Sequence, residues 1–238
     1  MHALNIRPKI RVASYNIHKA VGTDMRRSPE RILEVLSEVD ADVIALQEAD
    51  RRHGSRISTI PLHLLDTHSL YKAVPVNIRE HSMGWHGNAI LVRKDAQIGL
   101  HAAVHLPCLE PRGAIMAEVD AGPTRLRLFG MHLDLSGLWR RRQAAAVIHA
   151  AGQGEALPTV LMGDLNEWSA DRGCLADFGR HYSFAPCGRS FHARRPIARL
   201  DRIMYGPGLT LSDCGVHESA AARRASDHLP IWAEFEAE

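Results

Sequence analysis

Apolar residues in this chain fall mostly in short continuous runs rather than in long helical stripes. Val43-Ile44-Ala45-Leu46 and Thr159-Val160-Leu161 have no polar interruption, as expected of strands covered on both faces. Ile10 to Tyr15, Ala89 to Val92, Ala114 to Val119, Leu126 to Met131, Ile203 to Tyr205 and Leu229 to Phe235 read as further strands. Two segments follow a helical period instead. Ser28-Pro29-Glu30 offers a capping hydroxyl, a proline in the first turn and an acid near the positive helix end. Ile32, Leu36 and Val39 then share one face of that helix, and Leu138 to Ala151 forms a second. Strands outnumber helices, so a mixed α/β sandwich is expected. No repeat, low-complexity run or linker breaks the pattern, and one domain over residues 1–238 is predicted.

The polar residues are informative where the apolar runs stop. Asn16-Ile17-His18 follows the first strand, Gln47-Glu48 the second, and His132-Leu133-Asp134 the run ending at Met131. Asp164 and Asn166, two residues apart, follow Thr159-Val160-Leu161 across Met162-Gly163. Asp201 stands at the start of the Ile203 strand, and Ser226-Asp227-His228 lies just before the last one. Carboxylate and carboxamide oxygens suit a hard divalent cation, its bound water or a phosphoryl oxygen, and a histidine beside an acid suits proton chemistry. Singly, each residue has a plainer reading. Asn16 and Ser226-Asp227 could serve turns, Glu48 could pair with Arg51 or Arg52, His132 could sit hydrogen-bonded in a core, and Asp201 could pair with Arg202. Their recurrence at the ends of successive runs points instead to one phosphoryl-transfer site.

Composition narrows the partners only loosely. Hydrophobic residues at 45% and charged residues at 24% are ordinary for a globular domain, and a formal charge of +2 neither demands nor excludes nucleic acid. Arginines nevertheless cluster, at Arg26-Arg27, Arg51-Arg52, Arg140-Arg141-Arg142, Arg194-Arg195 and Arg223-Arg224. Cys108, Cys174, Cys187 and Cys214 show no metal or redox spacing, which fits reduced structural thiols. No apolar run reaches membrane-spanning length and no signal peptide is visible, so a cytoplasmic monomer without a transmembrane segment is expected.

In order, Tyr15-Asn16, Gln47-Glu48, Met131-His132-Leu133-Asp134, Gly163-Asp164-Leu165-Asn166, Leu200-Asp201-Arg202-Ile203 and Ser226-Asp227-His228 resemble the endonuclease/exonuclease/phosphatase superfamily from about Arg11 to Phe235. That superfamily includes pancreatic deoxyribonuclease, exonuclease III-type apurinic endonucleases, neutral sphingomyelinases and inositol polyphosphate 5-phosphatases. The resemblance implies a four-layer α/β sandwich, with two mixed β-sheets packed face to face and flanked by helices, and a site at one edge. It implies Mg²⁺ or Mn²⁺ as cofactor and attack of water on phosphorus. By the same resemblance Glu48 is the main metal carboxylate with Asn16 beside it, and Asp227 is a further metal or water ligand. Asp164 orients or deprotonates water, Asn166 holds a phosphate oxygen, and His132 assists the phosphate or leaving group. Asp201 fixes the tautomer of His228, and together they serve as general base or phosphate-stabilising cation. Asn16-Ile17-His18-Lys19, Glu110-Pro111-Arg112-Gly113-Ala114 and Ala222-Arg223-Arg224-Ala225-Ser226-Asp227-His228 are similar to a small bacterial branch, mostly described as metal-dependent hydrolases, some of whose members resemble proteins linked to phospholipid metabolism. Arg112 is the candidate for an extra phosphate contact, or equally an exposed loop arginine, and Asn88 is a second substrate-side candidate that would brace the site, or equally a strand-entry turn residue.

The substrate expected is a small phosphate ester or lipid head group, cleaved as a phosphodiester or phosphomonoester. A nuclease acting on DNA or RNA is the alternative, and its paired arginines, Arg140-Arg141 and Arg223-Arg224, would contact flanking phosphates. A catalytically silent binding domain is the alternative of another class. Trp85, Trp139 and Trp168 could stack a base or pack internally. Tyr71 stands nearest to the tyrosine of apurinic endonucleases, at an unconvincing spacing.

Overall fold

The computed structural model describes residues 9–51, 56–76, 80–121 and 124–237. The strands are β1 (Lys9–Asn16), β2 (Val43–Gln47), β3 (Tyr71–Ala73), β4 (Ala89–Arg93), β5 (Gln97–His105), β6 (Gly113–Ala121), β7 (Thr124–His132), β8 (Thr159–Asp164), β9 (Ser183–Phe184), β10 (Asp201–Tyr205), β11 (Leu209–Val216) and β12 (Ile231–Ala237). The helices are α1 (Pro29–Val39), α2 (Leu62–His68), α3 (Gly137–Ala151), α4 (Cys174–Phe178) and α5 (Ala220–Ala225). One sheet runs β11-β12-β1-β2-β4-β3 and the other β5-β6-β7-β8-β10-β9, each mixing parallel and antiparallel pairs.

Continuous apolar runs arise because both faces of the central strands are buried. Val12, Val43 and Ala45 point between the sheets, where they meet Ile115, Leu128, Val160 and Met162. Their neighbours Ala13, Ile44 and Leu46 point outward to Ile32, Val35 and Leu36 of α1. On the second sheet Phe129, Met131 and Leu161 point outward to Ala144 and Val147 of α3 and Phe178 of α4. Three cores thus separate four layers, as the resemblance implies. Gly130 lets the sheets close, since a Cβ there would stand 3.1 Å from that of Ala45.

Helix α1 begins as its cap predicts, with Ser28 Oγ accepting from the Arg31 amide. The edge strands β5 and β11 carry no continuous apolar run and take their place from the neighbours they pair with. Tyr71 is a core residue that donates its hydroxyl to the Ala41 carbonyl at 2.8 Å, far from the role considered for it. Among the described residues no helix is long and apolar enough to cross a membrane.

Candidate active site

Strand direction and register gather the polar residues at one edge. β1 and β2 run parallel, as do β7 and β8, so Asn16 pairs with Gln47 and His132 with Asp164 at their C-terminal ends. β4, β6, β10 and β12 run against these neighbours, so their N-terminal ends arrive at the same edge. Ala89 pairs with Leu46, Gly113 with His132, Asp201 with Asp164, and Ile231 with Ser14. Asn88, Arg112 and His228 stand just before three of those strand starts. Asp164 is thus the last residue of β8 rather than a loop residue beyond it, because pairing with Asp201 extends the strand past Gly163. Gly163 is required there: a Cβ would come 1.9 Å from the Met131 carbonyl oxygen on β7.

Asp164 is the hub, almost wholly buried. Its Oδ1 accepts the Asn166 amide at 2.9 Å, and its Oδ2 accepts Asn16 Nδ2 at 3.0 Å from the opposite sheet. The same Oδ2 lies 3.4 Å from His132 Nε2 and 3.7 Å from His228 Nε2. Beyond His228, Asp201 Oδ2 accepts from Nδ1 at 2.8 Å and also from Ser190 Oγ. Arg202 donates to the Asp201 carbonyl at 3.1 Å rather than to its carboxylate, so the structural ion pair is not what holds Asp201. Asn16 also serves the turn, its Oδ1 accepting the His18 amide at 3.1 Å.

Beyond His132 stands Arg112, with Nη1 2.9 Å from Nδ1 and 2.8 Å from Nε2 and with its Nε buried and unpartnered. Arg112, His132, Glu48 and Lys19 line one small cavity of about 60 Å³. Glu48 is half-buried and ion-paired with Lys19, not with Arg51, while Arg52 lies outside the described residues. Among the described residues Glu48 makes no direct bond to Asn16 or Asp227. Lys19 is presented by a left-handed turn in which His18, Lys19 and Ala20 have φ of 46°, 57° and 60°. Such backbone costs about 1–2 kcal/mol per residue and persists only where the surroundings hold it. Here the Glu48 carbonyl takes the Lys19 amide at 3.2 Å. Asp227 is half-buried, with Oδ1 3.9 Å from His18 Nδ1 and 3.3 Å from the donor Ser226 Oγ. Ser226 does serve the turn, accepting the His228 amide and donating to the Asn16 carbonyl.

The pKa values of the two imidazoles shift in opposite directions. Burial pushes His132 down, Asp164 resists and Arg112 adds to the fall, to about 3. Burial also opposes charge on His228, but Asp201, Asp164 and Asp227 outweigh it and push the group up to about 10.

Several groups take positioning roles that no residue pattern assigns to them. Asp134 accepts the Leu109, Glu110 and Ser136 amides and so ties the loop before Arg112 to the end of β7. Buried Arg140 grips Glu167 at 3.1 Å and the Leu135 carbonyl at 2.6 Å, which fixes the turn carrying Asn166. Arg140 is therefore unavailable to nucleic-acid phosphates, Arg141 is paired with Asp177, and Arg223 with Glu218. Arg224 is exposed, with Nη2 4.0 Å from Asp24 Oδ2. Asn88 is fully buried and donates to the Gly113 carbonyl at 2.8 Å across the sheets, which braces the edge, while its Oδ1 has no partner. Asn166 spends one N–H on the Leu133 carbonyl at 2.9 Å and keeps the other. Of the three tryptophans considered, Trp168 is the one set openly on the rim, 64% exposed.

A family model described as the Endonuclease/Exonuclease/phosphatase family matches residues 13–228. Among solved structures, an endonuclease/exonuclease/phosphatase from Beutenbergia cavernae superposes with a TM-score of 0.74 at 22% identity, over 97% of this chain and 72% of its own. D. rerio TDP2 complexed with single strand DNA product gives 0.74 at 18%, over 96% and 99%. The human Nocturnin catalytic domain with bound sulfate anion gives 0.70 at 20%, over 99% and 97%. At these identities the likeness is one of fold. No curated protein matches the chain.

Proposed function

From a chain that belongs to the endonuclease/exonuclease/phosphatase family, whose members are phosphoric ester hydrolases, we propose a Mg²⁺- or Mn²⁺-dependent phosphoesterase acting on a small phosphate ester or lipid head group. The ester is a phosphodiester or phosphomonoester, opened by in-line attack of water. Asp164 carries this reading: one carboxylate oxygen is approached by an amide and two imidazoles at the edge where Glu48 also stands.

The donors fit a hard divalent cation. Glu48 is a carboxylate at a cavity wall, ion-paired among the described residues with the Lys19 ammonium, and Asp201 Oδ1 is buried without a partner. Glu48 with Asn16 would hold the metal, and Asp227 would add an oxygen. Bound there, a divalent cation neutralises phosphoryl charge and makes water easier to deprotonate. The attacking water gives its proton to Asp164 as its oxygen bonds to phosphorus and the ester oxygen departs. Asp201 occupies His228 Nδ1, which leaves Nε2 as a donor toward a phosphoryl oxygen. The buried Arg112 Nε and the free N–H of Asn166 are further donors for the charge that grows in the transition state. In excess EDTA hydrolysis of bis(p-nitrophenyl) phosphate should stop and return with Mn²⁺, and Asp164→Asn should lower kcat by about 10²-fold or more. Undiminished turnover in EDTA would sink the metal-assisted mechanism.

The likeness to a TDP2 holding a DNA product supports a second reading, a nuclease. The ion-paired and buried arginines weigh against it. A small substrate should show a KM nearly independent of salt, whereas nucleic acid should show log K falling by about 0.7–0.9 per phosphate contacted for each decade of salt.

A further inference from the structure

Beside the site edge, the turn after Asn166, helix α4 and the segment 184–202 enclose a cavity of about 740 Å³ that the proposed chemistry does not use. Leu175, Phe184 and Ala198 supply apolar wall, and Trp168 and Ile197 stand at the rim 64% and 60% exposed. Its charges are unbalanced. Arg180 is paired with Asp177, and Asp201 accepts from His228 and Ser190 on Oδ2 while its Oδ1 stays buried without a partner. Arg189, Arg199 and Arg202 thus outnumber the cavity's carboxylates, the exposed Asp171 and the buried Asp201, whose charge is shared with His228.

Arg202 is half-buried and makes a single hydrogen bond, to a backbone carbonyl, and none of the three arginines has an ion pair among the described residues. Alternation along β10 explains why. Asp201 and Ile203 turn toward the site and the space between the sheets, while Arg202 and Met204 turn to the side of α4. Arg202 is half-buried while Arg189 and Arg199 are exposed at the mouth, and guanidinium groups of like charge gathered there repel one another unless an anion joins them. Their planar forks match phosphate oxygens in pairs, and an exposed indole offers a face to a flat or apolar group.

We propose that this cavity binds a second phosphate group of an organic phosphate ester, the moiety that bears it packing against Trp168 and Ile197. As the distal part of the substrate it would extend the phosphoesterase reading given above and rests on it. As a separate anionic ligand it would not.

The first arm is calorimetric titration with thymidine 3′,5′-bisphosphate in EDTA, where no turnover is needed. Wild type should bind saturably, and Arg199→Gln,Arg202→Gln should bind at least about ten-fold more weakly (about 1.4 kcal/mol). Arg199→Gln alone, at an exposed position that folding does not depend on, should show part of that loss. Equal affinities, or no saturable binding by wild type, would overturn the proposal. The second arm compares thymidine 5′-(p-nitrophenyl phosphate) with and without a 3′-phosphate. A KM lowered about ten-fold by the 3′-phosphate in wild type, and unchanged by it in the double variant, assigns the cavity to the substrate. Binding in the first arm without that KM effect assigns it to a separate anion. If neither ester is hydrolysed, the phosphoesterase reading fails while the titration still decides the cavity.

Discussion

The two sides of Asp164 are built from the same parts and end in opposite states. His132 and His228 are almost equally buried, 4% and 5% exposed, and both rings stand within 4 Å of Asp164 Oδ2. On the His132 side the next group is a guanidinium; on the His228 side it is a carboxylate bonded to Nδ1. Burial penalises the charged ring in both places, so it does not distinguish them. The sign of the nearest partner does. At neutral pH His132 is a neutral ring between a cation and an anion, while His228 is an imidazolium between two acids. Division of labour in this site is therefore set by what lies behind each histidine, and of the two roles expected of His228 we propose the phosphate-stabilising cation rather than the general base.

The sharpest way to break this asymmetry is to remove the carboxylate. Asp201→Asn should lower kcat by about 10³–10⁴-fold, the scale seen when an acid orienting a histidine is lost. His228→Ala should be about as severe and the double variant little worse, since the two act as a unit. In the same Asp201→Asn protein the His228 ring should lose its proton near neutrality, which its ¹⁵N shifts report. A ring that stays charged would show that Asp164 alone suffices.

Arg112→Leu alters the other side and should have the smaller effect, about 10–100-fold in kcat/KM, as one donor to the phosphate is lost. His132 should then titrate higher than in wild type yet remain below an ordinary histidine, because burial, the larger cause, is untouched. Titration by NMR measures both, and a His132 unmoved by the change would mean that the guanidinium has no hold on the ring.

The smallest effect is on stability. Folded His228 keeps its proton up to about 10, so its contribution is complete below about pH 6.5, where unfolded histidine titrates, and is lost as pH rises toward 10. Folded His132 stays neutral down to about 3, so its contribution is complete above about 6.5 and is lost as pH falls toward 3. Thermal melts in EDTA should therefore place these two contributions at their joint maximum near pH 6.5. Asp201→Asn should flatten the alkaline limb and His132→Gln the acid limb. Exchanged limbs would mean that the charge states are reversed.

The buried elements were the legible ones. The runs around Val43 and Val160 read as doubly covered strands because both faces do pack, and the Ser28 cap fixed the start of α1. Edge strands β5 and β11 were not legible, since a strand with an open face needs no apolar run and borrows its register from a neighbour. Within the site, Asn16, Glu48, His132, Asp164, Asp201 and His228 stood out at the ends of runs. Lys19, Ser190 and Arg140 did not, because their partners are 29, 11 and 27 residues away and a lysine, a serine or a surface-looking arginine announces nothing by itself.

What the sequence by itself determined is the set of reactive residues and their place at the ends of buried strands, because apolar period and polar punctuation are local properties of the chain. What only the tertiary structure decided is which of them touch. Antiparallel and parallel pairing bring the end of β8 against the start of β10, and the packing of two sheets brings Asn16 to Asp164. From those contacts follow the charge of each histidine, the loss of Arg140 to a buried ion pair and the unbalanced arginines of the neighbouring cavity. Charge states and free donors depend on distances of a few ångströms between groups far apart in the chain, and those distances exist only once the layers have packed.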